Sequence, residues 1–129
     1  FFDSVESQIA HLLFAVPAVK GVEFGAGFKA AEMTGLQHND PICDAEGHTS
    51  TNNAGGIVGG ISNGNEIVVR AAVKPTASIS AEQRTYNFDS NSIEPLTIKG
   101  RHDVCIALRA AVVVEAAVAI ALADLSLRA

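Results

Sequence analysis

Basic residues are scarce in this chain: nine Lys and Arg stand against fourteen Asp and Glu, for a formal net charge of −5. Non-specific nucleic-acid binding needs clustered cations, and these are few and scattered, so composition argues against a nucleic-acid partner. Cysteine is nearly as scarce. Cys43 and Cys105 form no CxxC pair and have no metal-type spacing, so no metal centre is expected from them. Free thiols in a reducing cytoplasm are the expectation, with a long-range disulfide left open. A signal peptide needs a basic start, which FFDSVES lacks. The longest apolar run, AAVVVEAAVAIALA from Ala110 to Ala123, is fourteen residues interrupted by Glu115. A membrane span wants about 20, so a buried helix is expected and no membrane partner. No internal repeat and no linker-like break divides residues 1–129, which read as a single domain or a fragment of one.

What is present is a globular composition, 48% apolar and 18% charged. Phe2, Val5, Ile9, Leu12, Leu13 and Val16 recur at spacings of three and four and predict a first helix. Asp3 with Glu6 suggests a capping-box start and Pro17 a stop, with His11 at the helix edge. AVKGVEFGAGF reads as a strand and turn, followed by a short helical piece around Lys29 to Met33. The polar segment 34–50 has the length of a lid or binding loop. Further strands are expected at Glu66 to Val73, Arg84 to Phe88 and Leu96 to Lys99. A helix from Leu108 to Leu127 is apolar nearly all round, which predicts burial on most sides or at a subunit interface. This order gives an α+β fold, with terminal helices covering one face of an antiparallel sheet.

Three segments carry chemical interest. NNAGGIVGGISNG, residues 52–64, spends five glycines in thirteen residues, at a high cost in chain entropy. Bare amides between buried Ile and Val suit a flat ligand with carbonyl or phosphate oxygens. Lys74-Pro75-Thr76-Ala77-Ser78 sets a cation and two hydroxyls around a rigid proline, a combination suited to phosphate as well as to a plain surface turn. Arg101-His102-Asp103 places a cation and an imidazole beside a carboxylate; a neighbouring Arg keeps Asp ionised while burial pushes the other way, and by itself the triplet reads as a salt-bridged approach to the helix. His38 and His48, with Asp40, Asp44 and Glu46, read as a solvated loop, with a metal site as the alternative. Gly25-Ala26-Gly27-Phe28-Lys29-Ala30 fits a loose dinucleotide fingerprint, but no second parallel strand follows, so a structural turn is expected.

Taken in order, PAVKGVEFGAGF, HNDP, NNAGGIVGGISNG, KPTAS, KGRHDVC and VVVEAAVAIALAD resemble chorismate synthase, specifically its carboxy-terminal part. The resemblance implies a flavin-dependent lyase of the shikimate pathway. It eliminates phosphate and a ring proton, trans-1,4, from 5-enolpyruvylshikimate 3-phosphate, using reduced FMN as cofactor. It further implies a layered β-α-β sandwich, an antiparallel sheet packed on long helices, a homotetramer and a cytoplasmic location. Matched by position, Ala18, Gly59, Lys74, Pro75, Thr76, Ala77, Ser78 and Arg101 would contact FMN, and Asp103 would help remove the ring proton. Val104 stands where the family usually has proline, Ala77 where a hydroxyl is common, and Ala111-Val112 where Val-Pro is usual. The family's two active-site histidines and phosphate-gripping arginines match nothing here. The expectation is therefore a fragment, inactive alone, that retains much of the FMN surface. The alternative is a non-catalytic piece that self-associates or docks to a missing half.

Overall fold

The computed structural model describes residues 2–101 and 103–128. Helix α1 spans Val5–Ala15. Its cap is Ser4, not Asp3: the Ser4 backbone is extended, and its hydroxyl accepts the Ser7 amide at 3.2 Å. The Asp3 carboxylate accepts instead from Gln8 Nε2 at 2.9 Å. The helix ends at Val16, where the following Pro17 disfavours helical backbone.

Strand β1, Val19–Phe24, leads through a 3-10 helix at Gly27–Glu32 to the one-turn helix α2, Gly35–His38. Strands β2 (Ile57–Val58) and β3 (Ile61–Ser62) form a small hairpin, and β4 (Val69–Val73) returns antiparallel to β1 with Val22 opposite Ala71. A second hairpin pairs β5 (Gln83–Asn87) with β6 (Ser92–Leu96). Helix α3, Ala107–Arg128, closes the chain. The fold is α+β, as expected. Its pairing is antiparallel, also as expected, but among the described residues it is divided into three separate two-stranded ladders. The strand expected at Leu96 to Lys99 lies earlier, at Ser92–Leu96, because Asn91 turns the chain with a left-handed φ of 56° and sets the pairing register.

The core is small. Ile9, Leu13, Ile57 and Ala121 are buried together, and a stripe of α3 (Val114, Ala117, Val118, Ala121, Leu122) lies against α1. The rest of α3 is bare, with Leu108 84%, Val112 67% and Ile120 60% exposed. Burial on most sides is thus not met within this chain, since α1 covers only one stripe. The helix extends beyond the fourteen-residue run at both ends, and by length and composition it is long and apolar enough to cross a membrane. The chain exposes 9324 Å² for 13.4 kDa. A complete globular protein of that mass exposes about 6,500 Å². Much of this surface is of the kind that larger bodies cover.

Candidate functional site

Past the end of the β1–β4 ladder, the Lys74 amide donates to the Ala18 carbonyl at 2.8 Å. Ala18 holds a left-handed φ of 73°, uncommon for a residue with a Cβ, which turns the chain sharply between Pro17 and β1. Two residues expected at the site are thereby fastened together. Lys74, Pro75 and Ala77 are exposed, while Thr76 and Ser78 are half-buried. The Thr76 hydroxyl oxygen is shut off from solvent without a hydrogen-bond partner. Such a group costs about 1–3 kcal/mol unless something satisfies it. Its place between the Lys74 cation and Ser78 fits an anionic oxygen.

Asp103 is half-exposed and accepts from Arg109 Nη1 at 3.3 Å, near the start of α3. The cation in contact is therefore Arg109 and not the adjacent Arg101, which is exposed. His102 lies outside the described residues.

The glycines divide by purpose. Gly59 and Gly60 are the two central residues of the β2–β3 turn, with φ of 62° and 82°, the mirror-image turn that suits a two-residue hairpin. The Gly60 carbonyl accepts the Val5 amide at 2.9 Å, pinning the turn to the start of α1, and a Cβ on Gly60 would stand 2.8 Å from that of Ser4. Gly59 and Gly64 face open space. Gly55 and Gly56 do not: a Cβ on Gly55 would be 2.8 Å from Gly25 Cα, and one on Gly56 2.8 Å from the Asn65 carbonyl oxygen. Those two are bare for the chain's own backbone, which corrects the reading of the whole stretch as ligand-facing. The residues expected to contact FMN lie in two places. Gly59 stands at the start of α1 and the Ala18–Lys74 pair just past its end, and eleven helical residues span roughly 16 Å.

Sequence reasoning missed how the polar segment is held. Asp40 accepts from the Asn53 amide (2.8 Å) and the Thr51 hydroxyl (2.7 Å) on Oδ1, and from the Ala54 amide (2.8 Å) on Oδ2. Asn65 Oδ1 accepts the Thr49 amide at 3.0 Å. The segment is thus clamped onto the glycine stretch, and between them lies an open hollow of about 870 Å³ lined by Asp40, Ile42, Ile57, Val58 and Gly59, among others. The sequence flagged Asp40 only as part of the HNDP segment and as an acidic residue of a polar loop, with no sign of which groups it would bind. His48 pairs with Asp44 at 2.6 Å, and among the described residues no three of His, Cys, Asp and Glu gather as a metal site. Both cysteines are free and exposed. The GAGF turn is structural: Arg70 Nε donates to Glu23 at 2.6 Å and its Nη2 to the Gly25 carbonyl at 2.7 Å. That guanidinium, with the Phe28 amide, holds the Glu23 carboxyl below its usual range.

Burial pushes Asp40 up, but the Ala54 and Asn53 amides, the Thr51 hydroxyl and nearby His38 outweigh it, so the carboxyl sits below its ordinary value. Because the folded pKa is the lower one, the clamp contributes fully above the unfolded value of about 3.9 and is lost as pH falls through the folded value. The Asn53 and Ala54 amide resonances are expected to hold steady from about pH 5 to 8 and then move together, with a midpoint below about 3.9. A midpoint above that value would count against the clamp.

The family model for chorismate synthase matches residues 1–127. The chain belongs to the chorismate synthase family. It is 62% identical over 127 residues to the chorismate synthase of Chitinophaga pinensis, covering 98% of this chain and 38% of that protein. With the Archaeoglobus fulgidus chorismate synthase it shares 53% identity over 125 residues, covering 95% of this chain and 35% of the relative. A crystal structure of chorismate synthase superposes with a TM-score of 0.55 at 44% identity, over 58% of this chain and 23% of the other. The chain therefore spans little more than a third of these chorismate synthases, and its α+β fold is part of a larger one.

Proposed function

We propose that the chain is the carboxy-terminal portion of a chorismate synthase and carries much of the surface that holds reduced FMN. The enzyme converts 5-enolpyruvylshikimate 3-phosphate to chorismate by trans-1,4-elimination of phosphate. The observation that carries this reading is a family match over residues 1–127 in a chain spanning at most 38% of its relatives' length. The solvent-excluded, unpartnered Thr76 hydroxyl beside Lys74 supports a phosphate-bearing ligand.

Reduced FMN, if held by these residues, would supply an electron-rich ring for the elimination. The residues of this chain supply part of the rest. Lys74 balances phosphate charge as a point cation, Pro75 fixes the bend, and Thr76 and Ser78 donate hydroxyl hydrogen bonds. Ala18 and Ala77 offer backbone, and Gly59 offers a bare Cα, where an added Cβ would meet nothing within 4 Å. The separation of Gly59 from Lys74 suits an elongated ligand, with a ring at one end and phosphate at the other. Arg101 adds positive charge where negative charge develops. Asp103 takes the ring proton, provided the substrate carbon comes within hydrogen-bond reach of its carboxylate.

The enzyme is a cytoplasmic homotetramer in this reading. The 129-residue chain alone is inactive, because its histidines do not supply the family's active-site pair. The bare face of α3 favours a second reading, in which the segment is a folded piece that docks to the rest of the protein or to its own copies without catalysis. Two measurements decide. Assayed with reduced FMN and 5-enolpyruvylshikimate 3-phosphate, the purified chain is expected to give no turnover, and a rate comparable to that of a full-length enzyme would overturn the fragment reading. Titration with FMN is expected to change flavin fluorescence. No change at millimolar flavin, with association seen by light scattering, would favour the docking reading.

A further inference from the structure

The polar segment and the glycine stretch meet at one side chain. Asp40 lies on the segment's side of the hollow, and its two carboxylate oxygens gather three donors from residues 51–54, the amides of Asn53 and Ala54 and the hydroxyl of Thr51. Asn53 Nδ2 adds a fourth at 3.1 Å. Three residues beyond Ala54 the stretch enters the β2–β3 hairpin whose turn is Gly59-Gly60. Ile42 of the polar segment and Val58 of the hairpin both line the hollow and are 72% and 57% exposed, so it offers apolar surface to a flat ligand, with Gly59 also in its lining. A carboxylate is the side chain that can accept four such donors at once, since an amide of the same shape carries one accepting oxygen and two hydrogens.

We infer that Asp40 is a positioning residue for the flavin: it fixes the spacing between the two walls of the hollow and so the placement of Gly59. This rests on the FMN reading above, with Asp40 itself touching no cofactor.

The test uses the full-length enzyme with FMN as the probe. Asp40→Asn keeps the shape and turns one accepting oxygen into a donor facing N–H groups. It is expected to weaken FMN binding by about tenfold or more, since one lost charge-assisted clamp is on the scale of 1.4 kcal/mol per decade. The visible spectrum of bound flavin is expected to shift, and amide-exchange protection to fall at Asn53 and Ala54. Thr51→Val removes a single donor without a charge change and is expected to weaken FMN by a smaller factor, which keeps the test alive if Asp40→Asn does not fold. Asp44→Asn disrupts the local turn held by the Glu46 and His48 amides and the His48 ring, none of them on the glycine stretch, and is expected to leave FMN affinity unchanged. Unsubstituted enzyme that binds no FMN would sink the cofactor reading and this inference with it. Unsubstituted enzyme that binds FMN, with Asp40→Asn and Thr51→Val binding equally well, would overturn the inference alone. Equal weakening by Asp40→Asn and Asp44→Asn would also overturn it, by showing that any damage to the segment suffices.

Discussion

On the proposed function, Asp103→Asn in the full-length enzyme is expected to lower kcat by about 10²- to 10⁴-fold, the range lost when a positioned acid or base is removed. FMN affinity stays nearly unchanged, because the Asn cannot take a proton but still fills the same space. A bland account of Asp103 exists, since it pairs with Arg109 at 3.3 Å and both side chains are substantially exposed. An exposed pair contributes only about 0–1 kcal/mol to stability. If pairing were the whole role, Arg109→Gln would reproduce the Asp103→Asn phenotype. The expected result is that Arg109→Gln keeps its melting temperature and most of its kcat. Steady-state kinetics on the two variants decides, and equal losses would remove Asp103 from the chemistry.

The second large effect concerns stability. Gly55→Ala destabilises the chain by roughly 2–5 kcal/mol, combining left-handed strain with overpacking. Its φ is 69°, and the new Cβ would meet backbone on two sides, 2.8 Å from Gly25 Cα and 3.0 Å from the Val68 carbonyl oxygen. Neither neighbour can swing away, since the Gly25 amide donates to Val68 at 3.0 Å and the Val68 amide to Gly55 at 3.2 Å. Gly64→Ala is the control. Its φ is 85° but nothing stands within 4 Å, so only the backbone strain of about 1–2 kcal/mol is expected. Urea unfolding midpoints for the two variants measure the difference, and equal midpoints would mean that the close crossing of residues 25 and 55 does not exist.

That contrast shows where the glycine stretch was legible and where it was not. Its composition signalled that something approaches the backbone closely, which holds at Gly55, Gly56 and Gly60. Composition carries no information on whether the visitor is a ligand or another part of the same chain, because both require the same missing Cβ. The clamp made by Asp40 was not legible for a related reason. Its partners lie 11 to 14 residues away in sequence, and no periodicity links a loop carboxylate to amides it meets only on folding.

The sequence by itself determined the family, through ordered segments from PAVKGVEFGAGF to VVVEAAVAIALAD, and with it the α+β class. It also determined α1 and α3 to within a few residues, since the spacing of apolar side chains is a local property of the helix. Tertiary structure alone decided that the strands pair as three separate ladders, that Gly59 and the Lys74 bend sit at opposite ends of α1, and that α3 leaves most of its apolar surface bare. Those outcomes depend on which distant surfaces meet and on how much surface one 129-residue chain has available to cover another. Neither is encoded in any local pattern of residues.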